Sequence, residues 1–273
     1  MTVRPALPLR DDLAHRLDGR PLVLLLDIDG TLARIAPRPE DAVVPDTTRA
    51  ILDGLTKLPD THVVFVTGRR ADDGRRMAHV DRGWVIGNHG LEIARPSESS
   101  RPRDDIVRYE APLRHASSRI ADVADRRGWP GVFVENKRWT VSVHFRLAEP
   151  SIVPEVSAEV ERVARDYGLR ITTGKKVLEL RPPVDVHKGT AAVELADRLA
   201  ATHEGASLFA AGDDRTDEDM FKHLRAHHPR AVTVHVGGAS ADETEAEFCV
   251  SDTNAMRELL GQILERRRTQ SAA

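Results

Sequence analysis

Asp27 and Asp29 stand two residues apart at the end of an apolar run, Leu22-Val23-Leu24-Leu25-Leu26, and are followed by Gly30 and Thr31. A continuous apolar segment of that length suits a strand buried on both faces, as in a parallel α/β sheet. Side chains at i and i+2 of an extended chain share a face. Both carboxylates would therefore project into the crevice beyond the strand's carboxyl end, where such sheets bind ligands. There they can hold a divalent cation, and one can attack an electrophile. Taken alone, Asp-x-Asp-Gly reads equally as a turn, because Asp and Gly are common turn formers.

Other polar clusters follow predicted strands or open predicted helices: Thr67 in Thr67-Gly68-Arg69, Lys188 before Gly189, and Gly212-Asp213-Asp214. Together with Asp27 and Asp29 they supply carboxylates, a hydroxyl and an ammonium to one crevice. That set suits phosphoryl transfer assisted by a divalent metal. Hard Mg²⁺ takes oxygen ligands from one or two carboxylates, phosphate oxygens and water. Lys188 and Thr67 can hold phosphoryl oxygens, and Lys188 can neutralise their charge. One aspartate can form an aspartyl-phosphate, while the second protonates the leaving alkoxide and then activates water.

The elements that must carry these residues alternate. After the first strand comes a proline-rich loop (33–45), then a helix with Asp46 as its N-cap and Ile51, Leu52, Leu55 and Leu58 on one face. Strands are expected at 62–66 and 84–86, the latter leading to Gly87-Asn88-His89-Gly90. Strand–helix–strand alternation marks a parallel sheet. The middle differs. A polar stretch (95–105) precedes a helix at 112–127, strands at 132–136 and 139–145, a helix at 153–167 and strands at 169–173 and 176–180. This helix–hairpin repetition predicts an inserted α+β lobe, giving domains 1–105, 106–182 and 183–273. Alternation then resumes with a helix from Lys188 to about Thr202, a strand at 207–211, a helix from near Asp217, a strand at 231–236 and a helix at 253–268. The last ends in Arg266-Arg267-Arg268, which is expected to be a solvated helix end complementing the dipole.

Composition bounds the function classes. The 273 residues are 40% apolar and 30% charged, as in a soluble globular protein. A net charge of −3 gives no reason to expect nucleic acid or an anionic membrane as partner. No stretch reaches the roughly 18 apolar residues of a membrane span. The first nineteen residues mix Arg, Asp and Pro and lack the apolar centre of a signal peptide. Cys249 is the single cysteine, which excludes an intrachain disulfide and fits the cytoplasm. Zinc-spaced Cys/His clusters, internal repeats and nucleotide-binding glycine loops are absent. Composition leaves the oligomeric state open, a monomer being compatible with it.

The ordered set Asp27-Ile28-Asp29-Gly30-Thr31, Thr67, Lys188 and Gly212-Asp213-Asp214 resembles the motifs of the haloacid-dehalogenase-like phosphatase superfamily. The resemblance implies a Rossmann-like parallel-sheet core with a C2-type α+β cap inserted between the second and third motifs, covering the active site. It implies Asp27 as nucleophile and Asp29 as general acid/base. Mg²⁺ would be held by the side chains of Asp27 and Asp213 and the backbone carbonyl of Asp29, supported by Asp214 and Asp217. Thr67, Gly68, Arg69 and Lys188 would bind the phosphoryl group. Within the superfamily, Gly87-Asn88-His89-Gly90-Leu91-Glu92, Glu135-Asn136-Lys137 with Ser142-Val143-His144-Phe145-Arg146, Gly174-Lys175-Lys176-Val177-Leu178-Glu179-Leu180-Arg181-Pro182, and Gly212-Asp213-Asp214-Arg215-Thr216-Asp217-Glu218-Asp219-Met220-Phe221 resemble motifs of the trehalose-6-phosphate phosphatases.

That family implies hydrolysis of trehalose 6-phosphate, with sugar contacts from Asn88, His89, Glu135, Lys137, His144, Arg146, Lys176 and Glu179. An enclosed disaccharide needs a partner for each hydroxyl, and Glu135, Lys137 and Glu179 are suitable ones. His144 and Arg146 serve equally as structural ties between cap strands, and His89 as a loop anchor. Thr140 replaces the usual Ser, and Phe145 the usual Tyr, so the sugar stays open: sucrose phosphate, mannosyl-phosphoglycerate, glucosylglycerol phosphate or a trehalose-like pseudo-disaccharide phosphate are alternatives. An alternative of another class is a non-catalytic regulatory partner of a sugar-phosphate synthase.

Overall fold

The computed structural model describes residues 3–36, 41–174, 176–200, 205–237 and 244–272. Lys175 of the motif quoted above, the predicted helix continuation through Thr202, and residues 37–40 of the proline-rich loop lie outside them. In chain order the elements are β1 (Arg4–Pro5), α1 (Asp11–Ala14), β2 (Leu22–Leu26), α2 (Asp46–Thr56), β3 (Thr61–Val66), α3 (Ala71–Ala78), β4 (Trp84–Gly87), β5 (Glu92–Ala94) and β6 (Arg101–Pro102). Then come α4 (Glu110–Arg127), β7 (Phe133–Asn136), β8 (Val141–His144), α5 (Val153–Tyr167), β9 (Arg170–Gly174) and β10 (Val177–Arg181). The chain closes with α6 (Lys188–Ala200), β11 (Ser207–Gly212), α7 (Arg215–His227), β12 (Val232–Val236), β13 (Phe248–Val250) and α8 (Thr253–Ala272). Contacts divide it into two units, 1–101 with 186–273, and 102–185.

The first unit is built on a sheet of order β1-β13-β12-β11-β2-β3-β4-β5-β6. Its ladder is parallel from β1 through β4, and β5 runs antiparallel to β4. The continuous apolar run of β2 follows from its central place. Leu22, Leu24 and Leu26 enter one core with Leu52 and Leu55 of α2 and Leu259, Leu260 and Ile263 of α8. Val23 and Leu25 enter the opposite core with Ala192 and Leu195 of α6 and Met220 and Leu224 of α7. Burying a Leu or Val side chain contributes about 1.5–3 kcal/mol. Strand order reverses between β2 and β11, so the carboxyl ends of these neighbours flank a topological switch point, the expected place for a ligand.

The second unit is a four-stranded antiparallel sheet, β7-β8-β10-β9. Val141, Val143, Leu178 and Leu180 pack on Leu113, Ala116 and Ile120 of α4 and Val156, Val160 and Val163 of α5. Helix α5 matches its predicted span because Pro154 opens it and Gly168, at φ 63°, closes it.

Two expectations are corrected. Asp46 is the first helical residue of α2 rather than its cap; Pro45 precedes it without a side-chain capping bond, and Asp46 pairs with Arg49 at 2.7 Å. The arginine run is not a solvated helix end, since α8 continues to Ala272. Arg267 is buried and donates to the carbonyls of Leu17 (3.5 Å), Asp18 (3.2 Å), Gly19 (2.9 Å) and Asp60 (3.3 Å). Arg266 grips Asp18 through two bonds of 2.6 Å, and Arg268 alone stays largely exposed, on Glu265. The run thus ties the N-terminal segment to the core.

Arg267→Ala is expected to cost about 2–4 kcal/mol by leaving buried carbonyls without a donor, against no more than about 0.5 kcal/mol for Arg268→Ala, measured by denaturant unfolding. Arg266, opposed by partial burial, holds the Asp18 carboxyl down at about 2. Stability from this pair is therefore complete above the ordinary carboxylate pKa of about 4 and lost as pH falls through about 2. Arg266→Ala should cost about 1–2 kcal/mol at pH 7, after allowance for solvent screening, and little at pH 2.

Candidate active site

β2 and β11 deliver the acidic residues. Leu26 pairs with Ala211, and the Asp27 amide donates to the Ala211 carbonyl at 3.0 Å, so Asp27 and Asp213 emerge from adjacent strand ends. Lys188, the first residue of α6, reaches the same point. Its Nζ donates to Asp27 Oδ1 at 2.6 Å and to Asp217 Oδ1 at 2.9 Å, with all three residues buried. Burial disfavours the ammonium, but the charges of Asp217 and Asp27 outweigh it and raise Lys188 well above its ordinary value. Burial first, then the Asp217 charge, push Asp27 well above the usual carboxylate range against the pull of Lys188.

The β11–α7 turn explains the rest. Asp214 caps α7, accepting from the amides of Thr216 (2.8 Å) and Asp217 (3.1 Å). Burial opposes its ionisation, but the Lys188 charge and these bonds bring it down to about 2. Asp217 is fully committed: Oδ1 takes Lys188 and Oδ2 takes the amides of Asp213 (3.1 Å) and Asp214 (3.2 Å). Only glycine fits at 212, where a Cβ would lie 2.2 Å from Asp217 Cγ. Gly30, at φ 90°, likewise makes room for Asp213, whose Oδ2 would lie 2.1 Å from an added Cβ.

Asp27, Asp213 and Asp217 offer oxygens within 4.8 Å of one another, and Asp213 Oδ1 is buried without a hydrogen-bond partner among the described residues. Burial, then the charges of Asp217 and Asp214, push Asp213 up to about 7. An all-oxygen set with one uncommitted buried carboxylate oxygen and more carboxylates than cations suits a hard divalent ion. Because Asp217 is consumed by bracing, Asp27 and Asp213 are the carboxylates left to ligate.

Asp29 is gripped by Arg69, Nε to Oδ2 and Nη2 to Oδ1, both at 2.7 Å. The sequence named Arg69 only as a phosphate contact, and its pairing with Asp29 carried no signal there. Thr67 is buried at the end of β3, and its Oγ1 accepts from the Arg69 amide at 3.1 Å. Gly68 packs against His89, whose Nε2 would lie 2.4 Å from an added Cβ. Asn88 is fully buried and donates to Glu92 at 2.7 Å.

In the second unit, strand register aligns Glu135, Ser142 and Glu179 on the face opposite the packed valines and leucines. Glu179 Oε1 accepts from Lys137 (3.3 Å), Thr140 (3.2 Å) and Ser142 (3.1 Å). Glu135 Oε2 meets His144 Nε2 at 3.0 Å. Arg146 and Lys176 are exposed and stand outside this hydrogen-bonded group. Thr140 and Ser142 were not named as site residues, although their period of two with His144 marks one strand face.

A parallel α/β unit interrupted by an α+β unit, with paired acidic strand ends around one lysine, is the haloacid-dehalogenase-like fold. The trehalose-phosphatase family model matches residues 25–254. The chain is 36% identical to an uncharacterized glycosyl hydrolase of Mycobacterium tuberculosis, over 82% of this chain and 17% of that protein. It is 35% identical to a trehalose-phosphate phosphatase of Mycobacterium avium, over 82% and 56%. It thus spans about a sixth and about half of these relatives' lengths. A solved structure described as a trehalose-6-phosphate phosphatase related protein superposes with a TM-score of 0.78 at 26% identity, covering 91% of this chain and 99% of that one. The chain belongs to the trehalose-phosphatase family.

A carboxyl raised to about 7 is favoured neutral, so in metal-free protein its contribution to stability is lost as pH rises through that value. Metal binding needs the carboxylate. The Mg²⁺-induced rise in melting temperature should therefore be larger at pH 8 than at pH 5. Asp213→Asn should raise metal-free stability at pH 8 by roughly 1–3 kcal/mol and remove the Mg²⁺ response. An undiminished response in that variant contradicts the assignment of Asp213 as ligand.

Proposed function

We propose that the protein hydrolyses trehalose 6-phosphate to trehalose and phosphate, with Mg²⁺ as cofactor, and that it acts in the cytoplasm. The observation that carries the chemistry is the buried Lys188 ammonium between Asp27 and Asp217, beside a carboxylate with an uncommitted oxygen. Family membership supports the substrate. The relatives named as phosphatases supply the activity, and the single cysteine fits the compartment.

In the proposed reaction an Asp27 oxygen attacks phosphorus as the bond from phosphorus to the sugar oxygen breaks, and Asp29 gives that oxygen its proton. Asp29 then takes a proton from water, whose oxygen attacks the phosphorus of the aspartyl-phosphate. Phosphate leaves and the Asp27 carboxylate is regenerated. Lys188, Thr67 and the Gly68–Arg69 backbone hold phosphoryl oxygens, and Lys188 offsets the charge that develops on them. The cation, held by the side chains of Asp27 and Asp213 and the Asp29 carbonyl and supported by Asp214 and Asp217, supplies Lewis-acid charge stabilisation when bound. Glu135, Lys137, Glu179 and His144 of the second unit take the sugar hydroxyls, and Asn88, His89, Arg146 and Lys176 complete the proposed set. A site built to pair hydroxyls rejects sugars that lack them.

Asp27→Asn should lower turnover by at least about a thousandfold with the melting temperature preserved, because Lys188 keeps Asp217. Chelation of the metal should stop turnover. Phosphate release measured from trehalose 6-phosphate, sucrose 6-phosphate and glucose 6-phosphate side by side should be fastest from the first. Faster release from sucrose 6-phosphate would move the substrate. No release from any of them would favour the regulatory alternative.

A further inference from the structure

We propose that Glu92 is a positioning residue for the acid/base Asp29, acting through Asn88, Ala71 and Arg69; this rests on the phosphatase function proposed above. Glu92 opens β5 and is 3% exposed, yet the proposed reaction makes no use of it. One oxygen, Oε1, accepts from the Ala71 amide at 2.8 Å and from Asn88 Nδ2 at 2.7 Å. Ala71 is the first residue of α3, and Arg70 before it makes no side-chain capping bond. Glu92 therefore caps α3 from a different element, placing a carboxylate where helix N-termini favour one.

The segment 67–71 is tied at every second residue to 88–92. The His89 amide donates to the Thr67 carbonyl at 3.1 Å, the Asn88 amide to the Arg69 carbonyl at 2.7 Å, and the Ala71 amide to Glu92. The two segments interlock without spare room: a Cβ on Gly87 would lie 2.5 Å from the Ala71 nitrogen, and one on Gly68 would lie 2.4 Å from His89 Nε2. Asn88 and His89 hold left-handed backbone at φ 49° and 54°, which persists where surroundings over-determine it. At the far end of this brace, the Arg69 guanidinium holds both oxygens of Asp29. Removing the Glu92 carboxyl leaves the Ala71 amide and Asn88 amide group without this acceptor, so Arg69 loses its fixed backbone and Asp29 its fixed partner.

The test compares Glu92→Ala and Glu92→Gln in the full chain on two esters. Trehalose 6-phosphate releases an alkoxide that needs a proton, whereas p-nitrophenyl phosphate releases a stable phenolate that does not. Glu92→Ala should lose at least about tenfold in kcat/KM, which reports phosphoryl transfer to Asp27 and not the later hydrolysis step common to both esters, on the sugar phosphate, and less than about threefold in kcat/KM on the aryl phosphate. Glu92→Gln, whose amide oxygen can accept both bonds, should stay within about threefold of wild type on both. Equal losses in kcat/KM on the two esters, or a wild-type Glu92→Ala, overturn the proposal. Amide hydrogen exchange gives a readout independent of turnover: Ala71 should lose protection in Glu92→Ala and keep it in Glu92→Gln, with β11 unchanged in both. Unchanged protection of Ala71 in Glu92→Ala overturns the brace. If the wild type hydrolyses neither ester, the phosphatase function fails, and the exchange of Ala71 alone decides whether Glu92 holds the loop.

Discussion

One buried ammonium, Lys188, sets the terms for everything around it. Several aspartates converge on the ends of β2 and β11, and carboxylates removed from water and left unpaired would neutralise by taking up protons. Lys188 meets two of them at 2.6 and 2.9 Å, and breaking such a pair typically costs about 3–5 kcal/mol because a charge is left buried and alone. The lysine does not balance the full acidic charge, however. Asp213 stays elevated at about 7 and Asp217 at about 6, in both cases chiefly through burial. The unpartnered Asp213 oxygen within this cluster of carboxylates is the physical basis for the proposed cation.

The carboxylates are held apart in role by their hydrogen bonds. Asp214 is spent on capping α7 and Asp217 on Lys188 and two amides. Asp29 is oriented by Arg69, which meets both its oxygens. Asp27 and Asp213 remain closest to the open chemistry. In the second unit Glu179, buried, gathers an ammonium and two hydroxyls on one oxygen, leaving a polar sheet face opposite an apolar one. The proposed division of labour, chemistry in one unit and sugar recognition in the other, rests on family membership and is compatible with these two kinds of cluster.

Much of this was legible in the sequence for physical reasons. The run Leu22–Leu26 had no polar interruption because both its faces are covered. Helix α5 carried its own start and stop. The acidic cluster was legible because its residues occupy the ends of buried strands in motif order. Short strands such as β1, β5 and β13 were missed, since two or three residues cannot display a period. Arg267 read as a solvated helix end because its carbonyl partners lie far off in sequence at 17–19 and 60. The inward hydrogen bond from Asn88 to Glu92 was not legible, because nothing in the sequence says which way a side chain after a strand end turns. The Arg69–Asp29 pair, forty residues apart, has no sequence signature.

The central claim, that Asp27 beside Lys188 is a nucleophile, is tested most directly by acid-quenching the protein during turnover of trehalose 6-phosphate and locating any phosphoryl group by peptide mass spectrometry. The account predicts a transient phosphoryl group on the Asp27 carboxyl. Turnover with no phosphoryl group trapped at any point of the time course, or with one trapped on another residue, would contradict it.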